Sequence, residues 1–333
     1  MTGTDHETMR AWQVQSVGEP ADVLRAVEID VPAPGPGEIR VHVTAAGIGL
    51  PDVLMCRGTY PLTPQLPFTP GQEATGVVTA VGDGATHAVG DRVMFVSTFY
   101  NGHGSFAREC LAQSATAFPV PDGLTDTEAA GFWIPHLTAW TGLVERGHLA
   151  EGEWLAVLGA AGGSGIAAVQ LGCALGARVV AVVSDKERAD FCRKLGAEIT
   201  IDHRAGPLAA ALRDATAGRG VDVIYDPVGG EMAEVAAGAL ARNGRLLAIG
   251  FASGRWPKLA AHDLVIANSS LVGVFAGGQT PAALDEIHRS LSRLIAEGRL
   301  RNAVTATPAF DELPDALQRL ADRRVVGKLV MVP

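Results

Sequence analysis

The sequence predicts an α/β protein in which a doubly wound parallel sheet is joined to a compact, barrel-like unit of short strands. Two patterns predict it. The first part of the chain contains alternating strands separated by glycine- and proline-rich turns, which is typical of a barrel-like unit. From Trp154 onward, strands alternate with helices, which is typical of a doubly wound sheet. A chain of 333 residues is long enough for two such domains.

The amino-terminal part is predicted to be rich in strands. Turns such as PAPGPGE and VGDGATHAVGD separate short runs of alternating polarity. The runs are Glu38–Val43, Gly76–Val81, Asp91–Val96 and Phe106–Leu111. A helix is then expected from Thr125, because Thr125 and Glu128 have the spacing of a capping box.

The middle of the chain alternates between strands and helices. The predicted strands are Trp154–Leu158, Arg178–Val183, Ile199–Ile201, Asp222–Asp226, Arg245–Gly250 and Ser270–Phe275. The helices between them are Gly165–Leu175, Asp185–Leu195, Leu208–Thr216 and Glu231–Ala241. The tail adds helices at Pro281–Glu297 and Pro314–Arg323, and a last strand, Gly327–Val332, expected to return to the amino-terminal unit.

Composition excludes several classes of partner. Apolar residues make up 47% of the chain and charged residues 19%, a mix that can bury sizeable cores. The net charge of -9, without any basic run, argues against a nucleic-acid surface. The polar opening MTGTDHETMR has no apolar segment of a secretion signal, and the four cysteines are widely scattered. We therefore expect a cytoplasmic protein with reduced cysteines.

The stretch Leu155–Leu175, LAVLGAAGGSGIAAVQLGCAL, carries the strongest functional signal. It has no charged residue, as a membrane-spanning segment would, but its many glycines argue against a stable lipid-facing helix. It passes from an apolar strand through the turn Gly159–Gly165 into a helix, which is the context of a dinucleotide-binding loop. In such a loop the bare backbone approaches a pyrophosphate at the helix N-terminus. The alternative is a packing turn without a ligand.

The end of the next strand bears on the choice between NADP and NAD. Val183 stands where an NAD enzyme places a carboxylate for the ribose hydroxyls. Ser184, Lys186 and Arg188 follow it and offer a hydroxyl and two cations to a 2′-phosphate. A count of about twenty residues beyond the last glycine instead reaches Asp185, which favours NAD. We expect NADP; the alternative is that Asp185 caps a helix whose basic face is solvated.

Several segments together resemble the medium-chain dehydrogenase/reductases, and among them the zinc-independent, zeta-crystallin-like NADPH:quinone oxidoreductases. They are GEPADVLR, PAPGPGEIRVHVTAAGI, RGTYP, GDRV, LGAAGGSGIAAVQL, GRGVDVIYDPVGG, GRLLAIGFASG, LVGVF and VVGKLV. The resemblance implies a GroES-like catalytic domain at residues 1–131 and 277–333 and a Rossmann NADP-binding domain at residues 132–276. It also implies a homodimer in which the LVGVF strands pair across subunits.

The resemblance further implies which residues contact NADPH. In chain order they are Gly162, Gly163, Ser164, Ser184, Arg188, His203, Gly250, Phe251, Val274 and Phe275. The first three would lie at the pyrophosphate, the next two near the 2′-phosphate, and His203 beside the adenosine. The last four would line the nicotinamide, with Tyr60 closing over it from the other domain and Lys328 as a further contact.

The chain departs from its relatives at two places that the resemblance puts beside the nicotinamide. Many relatives carry asparagine and phenylalanine where this chain has Gly49 and Leu50. They tend to carry threonine and tyrosine where this chain has Pro135 and His136. The pocket is therefore expected to accept a different substrate or to hold the nicotinamide ring differently.

No metal site is predicted. Zinc-dependent alcohol dehydrogenases of the same superfamily hold their catalytic zinc with a cysteine and a histidine at the positions of Gly49 and Gln72. Glycine offers no ligand, and the one carboxylate that is retained, Glu73, does not make a zinc site. Glu73 is instead predicted to be a buried pairing partner.

The predicted reaction is hydride transfer from NADPH to a quinone, whose reduced oxygen is delocalised and needs only a weak proton donor. The candidate donors are Tyr60, Thr138 and His136. Tyr60 is alternatively a cleft-wall aromatic, and His136 a core or capping histidine. The segment Ser97–Phe106 is either a lid over a planar acceptor or a surface turn.

Two other functions remain open at this stage. One is an enoyl or 2-alkenal C=C reductase on the same scaffold, which would differ in the acceptor pocket. The other is a non-catalytic, NADPH-binding, crystallin-like or RNA-binding protein. The acidic balance of the chain disfavours RNA, and the intact nucleotide loop favours turnover.

Overall fold

In the computed structural model, which describes residues 7–301 and 303–333, the chain forms two compact units. The first combines the described parts of Met1–Ile134 and Asn302–Pro333, and the second is Pro135–Arg301. Residues 1–6, the start of the polar opening segment, lie outside the described residues.

The strands of the described residues are β1 (Thr8–Val14), β2 (Leu24–Asp30), β3 (Glu38–Ile48), β4 (Glu73–Val81), β5 (Arg92–Ser97), β6 (Glu109–Pro119), β7 (Trp154–Leu158), β8 (Arg178–Val183), β9 (Ile199–Asp202), β10 (Val221–Asp226), β11 (Leu240–Ala248), β12 (Ser270–Gly273), β13 (Val304–Ala306) and β14 (Lys328–Met331). The α-helices are α1 (Pro20–Val23), α2 (Leu50–Cys56), α3 (Asp126–Ala130), α4 (Trp133–Trp140), α5 (Gly163–Ala174), α6 (Lys186–Lys194), α7 (Leu208–Ala215), α8 (Gly230–Ala237), α9 (Ala261–Ala267), α10 (Pro281–Ala296) and α11 (Leu313–Ala321). A π-helical turn, Thr141–Arg146, follows α4.

The first unit is built on a six-stranded sheet in the order β13-β14-β3-β4-β5-β6. Strand β3 also pairs with β6, so the four strands from β3 to β6 close into a barrel. Alternate residues of β3 are buried, as the sequence pattern predicts for a strand with one face on a core. The barrel-like unit and the return of the last strand, β14, to pair with β3 are both confirmed.

The second unit contains a six-stranded parallel sheet in the order β12-β11-β10-β7-β8-β9. The strand order reverses between β7 and β10, which makes it the doubly wound arrangement predicted from the alternating pattern. Every residue of β7 and β10 is buried, because helices cover both faces of such a sheet. Ligands of doubly wound sheets bind outside the carboxyl ends of the strands at such a reversal.

The bounds of the two units differ from the expected domains. Residues 277–301 lie in the second unit and not in the first. The reason is the amphipathic helix α10, which buries Leu284, Ile287 and Leu291. The chain after α10 then bonds to α5: the Arg299 guanidinium donates to the carbonyl of Ala174, and Arg301 N donates to Gln170 Oε1 at 3.0 Å.

Most predicted elements lie within a few residues of the observed ones. The capping box at α3 is confirmed, since Thr125 Oγ1 accepts from Glu128 N and Glu128 Oε2 accepts from Thr125 N. Strands β1, β2 and β13 and helices α1, α2 and α9 have no counterpart among the predictions. No helix in the described part of the chain is both long and apolar enough to cross a membrane.

Candidate active site

The glycine-rich turn links β7 to α5 in the second unit. Gly162 is the N-cap of α5 and has no side chain to satisfy the first backbone N–H groups of the helix. Gly159 has a φ of +59°, which a larger residue would adopt only with strain. A Cβ on Gly165 would lie 2.4 Å from the carbonyl oxygen of Gly159 and 2.7 Å from the Cα of Ala160. The turn is therefore folded tightly onto the N-terminus of α5, where the first backbone N–H groups lack intrahelical partners and favour an anion.

The hydroxyl of Ser164 is held by a residue that sequence reasoning missed. Ser164 Oγ lies 2.8 Å from the Oη of Tyr225, a fully buried residue of β10. Burial raises the pKa of Tyr225, so the phenol is neutral and both groups are hydrogen-bonding hydroxyls. The only sequence signal was a tyrosine within an apolar strand, since a buried phenol needs a polar partner.

The end of β8 brings together three of the residues predicted near the ribose. Ser184, Asp185 and Arg188 form one hydrogen-bonded group: Ser184 Oγ donates to Asp185 Oδ2 at 3.0 Å, and the Arg188 guanidinium donates to the same oxygen. Arg188 N donates to Asp185 Oδ1 at 2.9 Å, so Asp185 caps α6 as the alternative interpretation expected. The Arg188 backbone N–H, then its guanidinium, lowers the pKa of Asp185, which is therefore an anion at neutral pH.

His203 lies beside this group. Its backbone N donates to the carbonyl of Val183 at 3.0 Å, which places it next to the end of β8. Burial, with a smaller effect of Arg204, lowers the pKa of His203 below its usual value, so the imidazole is neutral at neutral pH. A neutral, half-buried ring is suited to stacking on a base rather than to binding a phosphate.

The residues expected at the nicotinamide follow β11 and β12. The backbone N of Gly250 donates to the carbonyl of Asp226 at 3.2 Å, and Val274 N donates to the carbonyl of Ala248 at 3.1 Å. The Phe251 ring packs against Trp256 with ring centroids 4.9 Å apart. Phe275 is 71% exposed, so its side chain lies largely on the surface of the chain.

Asp226 is a buried carboxylate that the sequence did not single out. It lies at the carboxyl end of β10, and its Oδ1 accepts from the N–H groups of Val228 and Gly229 at 2.9 and 2.8 Å. Its Oδ2 is buried without a hydrogen-bond partner among the described residues. Burial raises the pKa of Asp226 to about 6 from 3.8.

Replacing Asp226 with asparagine is expected to stabilise the protein at pH 7.5 by about 1–2 kcal/mol. The folded state retains a proton that the unfolded chain releases above about pH 4, so wild-type stability falls as the pH rises toward about 6. Asparagine keeps an oxygen for Val228 and Gly229 and removes the buried charge. Urea unfolding at pH 4.5 and 7.5 checks this. The exposed Asp285→Asn is the control, and an equal gain at both pH values would contradict the prediction.

In the first unit, Glu73 and Lys328 form a buried ion pair. Lys328 Nζ lies 2.7 Å from Glu73 Oε1, and each side chain is only 5% exposed. The other carboxylate oxygen, Oε2, accepts from Ile134 N at 2.9 Å. The prediction that Glu73 is a buried pairing partner is thus confirmed. Lys328, which the resemblance implied as a cofactor contact, is directed into this pair and away from solvent.

Asp52 lies beside this pair and is fully buried. Its Oδ2 accepts from Gly49 N at 2.9 Å and its Oδ1 from Gly71 N at 3.1 Å. Burial raises the pKa of Asp52 to about 7, while the two N–H groups and the charge of Lys328 lower it in part. The three ionisable groups are therefore buried near one another, and each oxygen of Asp52 already accepts a backbone N–H.

Tyr60 follows α2 on the turn that carries RGTYP. Its half-buried ring packs near Phe99, with centroids 6.4 Å apart. Burial raises the pKa of Tyr60, and a contact with the side chain of Gln72 offsets part of the rise. The phenol is therefore protonated at neutral pH and is a weak acid.

The other two candidate donors lie on α4 in the second unit. His136 is 1% exposed among apolar neighbours, so its environment matches the core-histidine alternative. Thr138 is half-buried on the same helix.

The segment Ser97–Phe106 is ordered by backbone hydrogen bonds. Gly104 N donates to the carbonyl of Thr69, and Phe106 N to that of Pro70, each at 3.0 Å. Phe99 lies in a short 3-10 helix and is buried. The segment thus buries the side chain of Phe99 and is held to the neighbouring chain by backbone hydrogen bonds.

Comparisons with known proteins agree with this geometry. The family model described as an alcohol dehydrogenase GroES-like domain matches residues 35–122, and that described as a zinc-binding dehydrogenase matches residues 163–293. A quinone oxidoreductase-like protein 2 homolog of Nematostella vectensis is 33% identical over 303 residues, covering 89% of this chain and 82% of the relative. The chain belongs to the quinone oxidoreductase family of the medium-chain dehydrogenase/reductases.

Solved structures of related proteins share the whole fold. A probable oxidoreductase from Mycobacterium abscessus is 37% identical with a TM-score of 0.87, covering 98% of this chain and 99% of that one. A mycobacterial protein solved in complex with NADPH is 30% identical with a TM-score of 0.90, covering 98% and 100%. The Rossmann and GroES-like parts of this medium-chain reductase are therefore those of its family.

The side chains of this medium-chain reductase do not fit the zinc site that one family description names. Gly49 has no donor atom, and Gln72 presents a neutral amide where zinc-dependent enzymes have histidine. The nearby carboxylates, Asp52 and Glu73, are engaged by backbone N–H groups and by Lys328. Among the described residues there is no group of three or more histidine, cysteine or acidic side chains that could hold a metal ion.

Proposed function

We propose that this protein is an NADPH-dependent reductase that passes a hydride to a quinone without the help of a metal ion. The observation that carries the proposal is the set of side chains in place of the zinc ligands, where Gly49 offers nothing and Lys328 neutralises Glu73. A simple ketone would need a strong electrophile there to stabilise its developing alkoxide. A quinone delocalises that charge and needs only a weak acid.

The second unit supports NADPH as the cofactor. Its glycine turn suits a pyrophosphate, while Ser184 and Arg188 together suit a 2′-phosphate. A 30% identical relative was solved with NADPH. When bound, NADPH supplies the hydride; Gly162, Gly163 and Ser164 would bind its pyrophosphate, and Gly250, Phe251, Val274 and Phe275 would line its nicotinamide.

Tyr60 is proposed as the residue that orients the acceptor and donates a hydrogen bond to its oxygen. Its raised pKa keeps the proton on the phenol at neutral pH, so the phenol is available as a hydrogen-bond donor. The reaction consumes one NADPH, one proton and one quinone and yields NADP⁺ and the hydroquinone. His136 is assigned no proton transfer, because it is buried.

Arg188→Ala is expected to weaken NADPH binding by about 10- to 100-fold and NADH binding by less than about threefold, since only NADPH has the 2′-phosphate. Fluorescence titration of each dinucleotide measures both dissociation constants. Arg193→Ala is the control, because Arg193 lies exposed on the same helix and pairs with Asp190. Equal losses for the two dinucleotides would refute the assignment of Arg188.

The acceptor is tested with the purified protein and NADPH. Steady-state oxidation of NADPH by a para-quinone, exceeding that by a 2-alkenal, is the expected result. Oxidation with the alkenal alone would replace the proposal with a C=C reductase. Tight NADPH binding without oxidation across the acceptor panel would indicate a non-catalytic binding protein.

A homodimer that acts in the cytoplasm is also part of the proposal. Strand β12 lies at the edge of the parallel sheet, and Val265 and Ile266 on the preceding helix α9 are 72% and 70% exposed. An exposed edge strand beside apolar side chains favours pairing with a second copy. The four cysteines are free, as in a reducing compartment. Light scattering of the purified protein should give twice the chain mass.

A further inference from the structure

The group at the end of β8 contains a charge that opposes its proposed ligand. Both side chains suited to a 2′-phosphate, the Ser184 hydroxyl and the Arg188 guanidinium, donate to the same oxygen of Asp185. The side chains of Arg188 and Asp185 are 21% and 36% exposed, so the pair is partly shielded from water. A phosphate that binds here must share the Ser184 and Arg188 donors with the carboxylate of Asp185 or displace that carboxylate from them.

The other charged groups nearby do not neutralise the carboxylate of Asp185. On α6, Lys186 and Arg193 both pair with Asp190, which lies five positions after Asp185 in the sequence. From β9 and the turn after it, Asp202 accepts from the backbone of Arg204, and the His203 imidazole is neutral. The carboxylate of Asp185 is therefore an anion in direct contact with both Ser184 and Arg188.

We propose that Asp185 is a specificity-determining residue that limits the preference of this protein for NADPH over NADH. The inference rests on the proposed NADPH-binding function. A 2′-phosphate carries about -1.5 to -2 charges and is repelled by a carboxylate that competes for Arg188 and Ser184. The 2′-hydroxyl of NADH can donate a hydrogen bond to a carboxylate. The wild-type protein therefore binds both dinucleotides, with NADPH favoured by a modest factor.

The test is Asp185→Asn in the full chain. Asparagine is as good an N-cap as aspartate, so it retains the bond from Arg188 N and the start of α6. It removes the negative charge that competes with a phosphate for Arg188. Fluorescence titration is expected to show NADPH binding about five- to tenfold tighter and NADH binding unchanged or weaker. An unchanged circular dichroism melting curve reports that the fold is intact.

Two further variants make the result specific. Asp190→Asn removes a carboxylate from the same helix that contacts Lys186 and Arg193, and it should change both affinities less than twofold. In a chain that also carries Arg188→Ala, most of the Asp185→Asn effect on NADPH should be lost, because the two side chains act together.

The outcomes separate this inference from the function on which it rests. If Arg188→Ala selectively weakens NADPH but Asp185→Asn leaves the ratio of the two dissociation constants unchanged, the specificity role of Asp185 is wrong and the NADPH assignment stands. Equal tightening of both dinucleotides also overturns it. If Arg188→Ala weakens both equally, the 2′-phosphate assignment itself fails.

Discussion

Gly165→Ala is expected to weaken binding of both NADPH and NADH by a factor on the order of 100, because the glycine turn can no longer close onto α5. The new Cβ would meet two backbone atoms, the carbonyl oxygen of Gly159 and the Cα of Ala160, at 2.4 and 2.7 Å. Alanine gains about 1 kcal/mol of helix propensity over glycine. Overpacking against backbone costs about 1–3 kcal/mol, so the turn must move or strain. Equilibrium titration with each dinucleotide measures the loss.

Gly206→Ala is the matched control for this change. It is another glycine of the second unit, and a Cβ there would meet nothing within 4 Å. It should leave both dissociation constants within about twofold of the wild-type values. A Gly165→Ala protein that binds NADPH normally would show that the turn does not hold the pyrophosphate, and the packing-turn alternative would then be correct.

Lys328→Met is expected to lower the free energy of unfolding by about 3–5 kcal/mol, since it leaves the carboxylate of Glu73 buried without its cation. The pair is 5% exposed on each side, so water cannot replace the ammonium group. Ile134 N still donates to Oε2, but one neutral N–H does not balance a buried charge. Chemical denaturation at pH 7.5 measures the loss.

The double variant Glu73→Gln with Lys328→Met distinguishes charge from packing. Because both charges are then absent, most of the lost stability should return. Removing an exposed pair gives the scale of a surface effect: Asp311→Asn, opposite Arg10, should cost no more than about 1 kcal/mol. A loss below that value for Lys328→Met would mean that the ammonium group is not needed to bury Glu73.

The sequence predicted the second unit well because its signals are local. Strands β7 and β8 are continuous apolar runs ended by glycine or serine, and their observed bounds match the predicted ones. The boundary of β11 was missed, since it begins at Leu240 and continues through Asn243, whose positive φ of 65° bends it. A polar residue and a glycine in that stretch suggest a turn, and the pairing with β10 is irregular there, passing from Val221 opposite Leu240 to Val223 opposite Arg245.

The contacts that complete the candidate site could not be predicted from local sequence patterns, because they join residues far apart in the chain. Lys328 and Glu73 are 255 positions apart, and no spacing rule connects them. Tyr225 reaches Ser164 from a neighbouring strand, so the pair exists only once the sheet is formed. For Asp185 the capping interpretation is confirmed. The same side chain also pairs with Arg188, the cation assigned to the phosphate, which the sequence did not predict.

The return of β14 to β3 has a consequence for how the chain folds during synthesis. The second unit is one continuous segment and can fold as soon as Arg301 has left the ribosome. The sheet of the first unit, although most of its strands emerge first, lacks β14 until residues beyond 327 have followed. During that interval Glu73 has no Lys328, so the unit that is translated earlier is completed later. The buried ion pair of the first unit thus depends on residues that are made after the whole second unit.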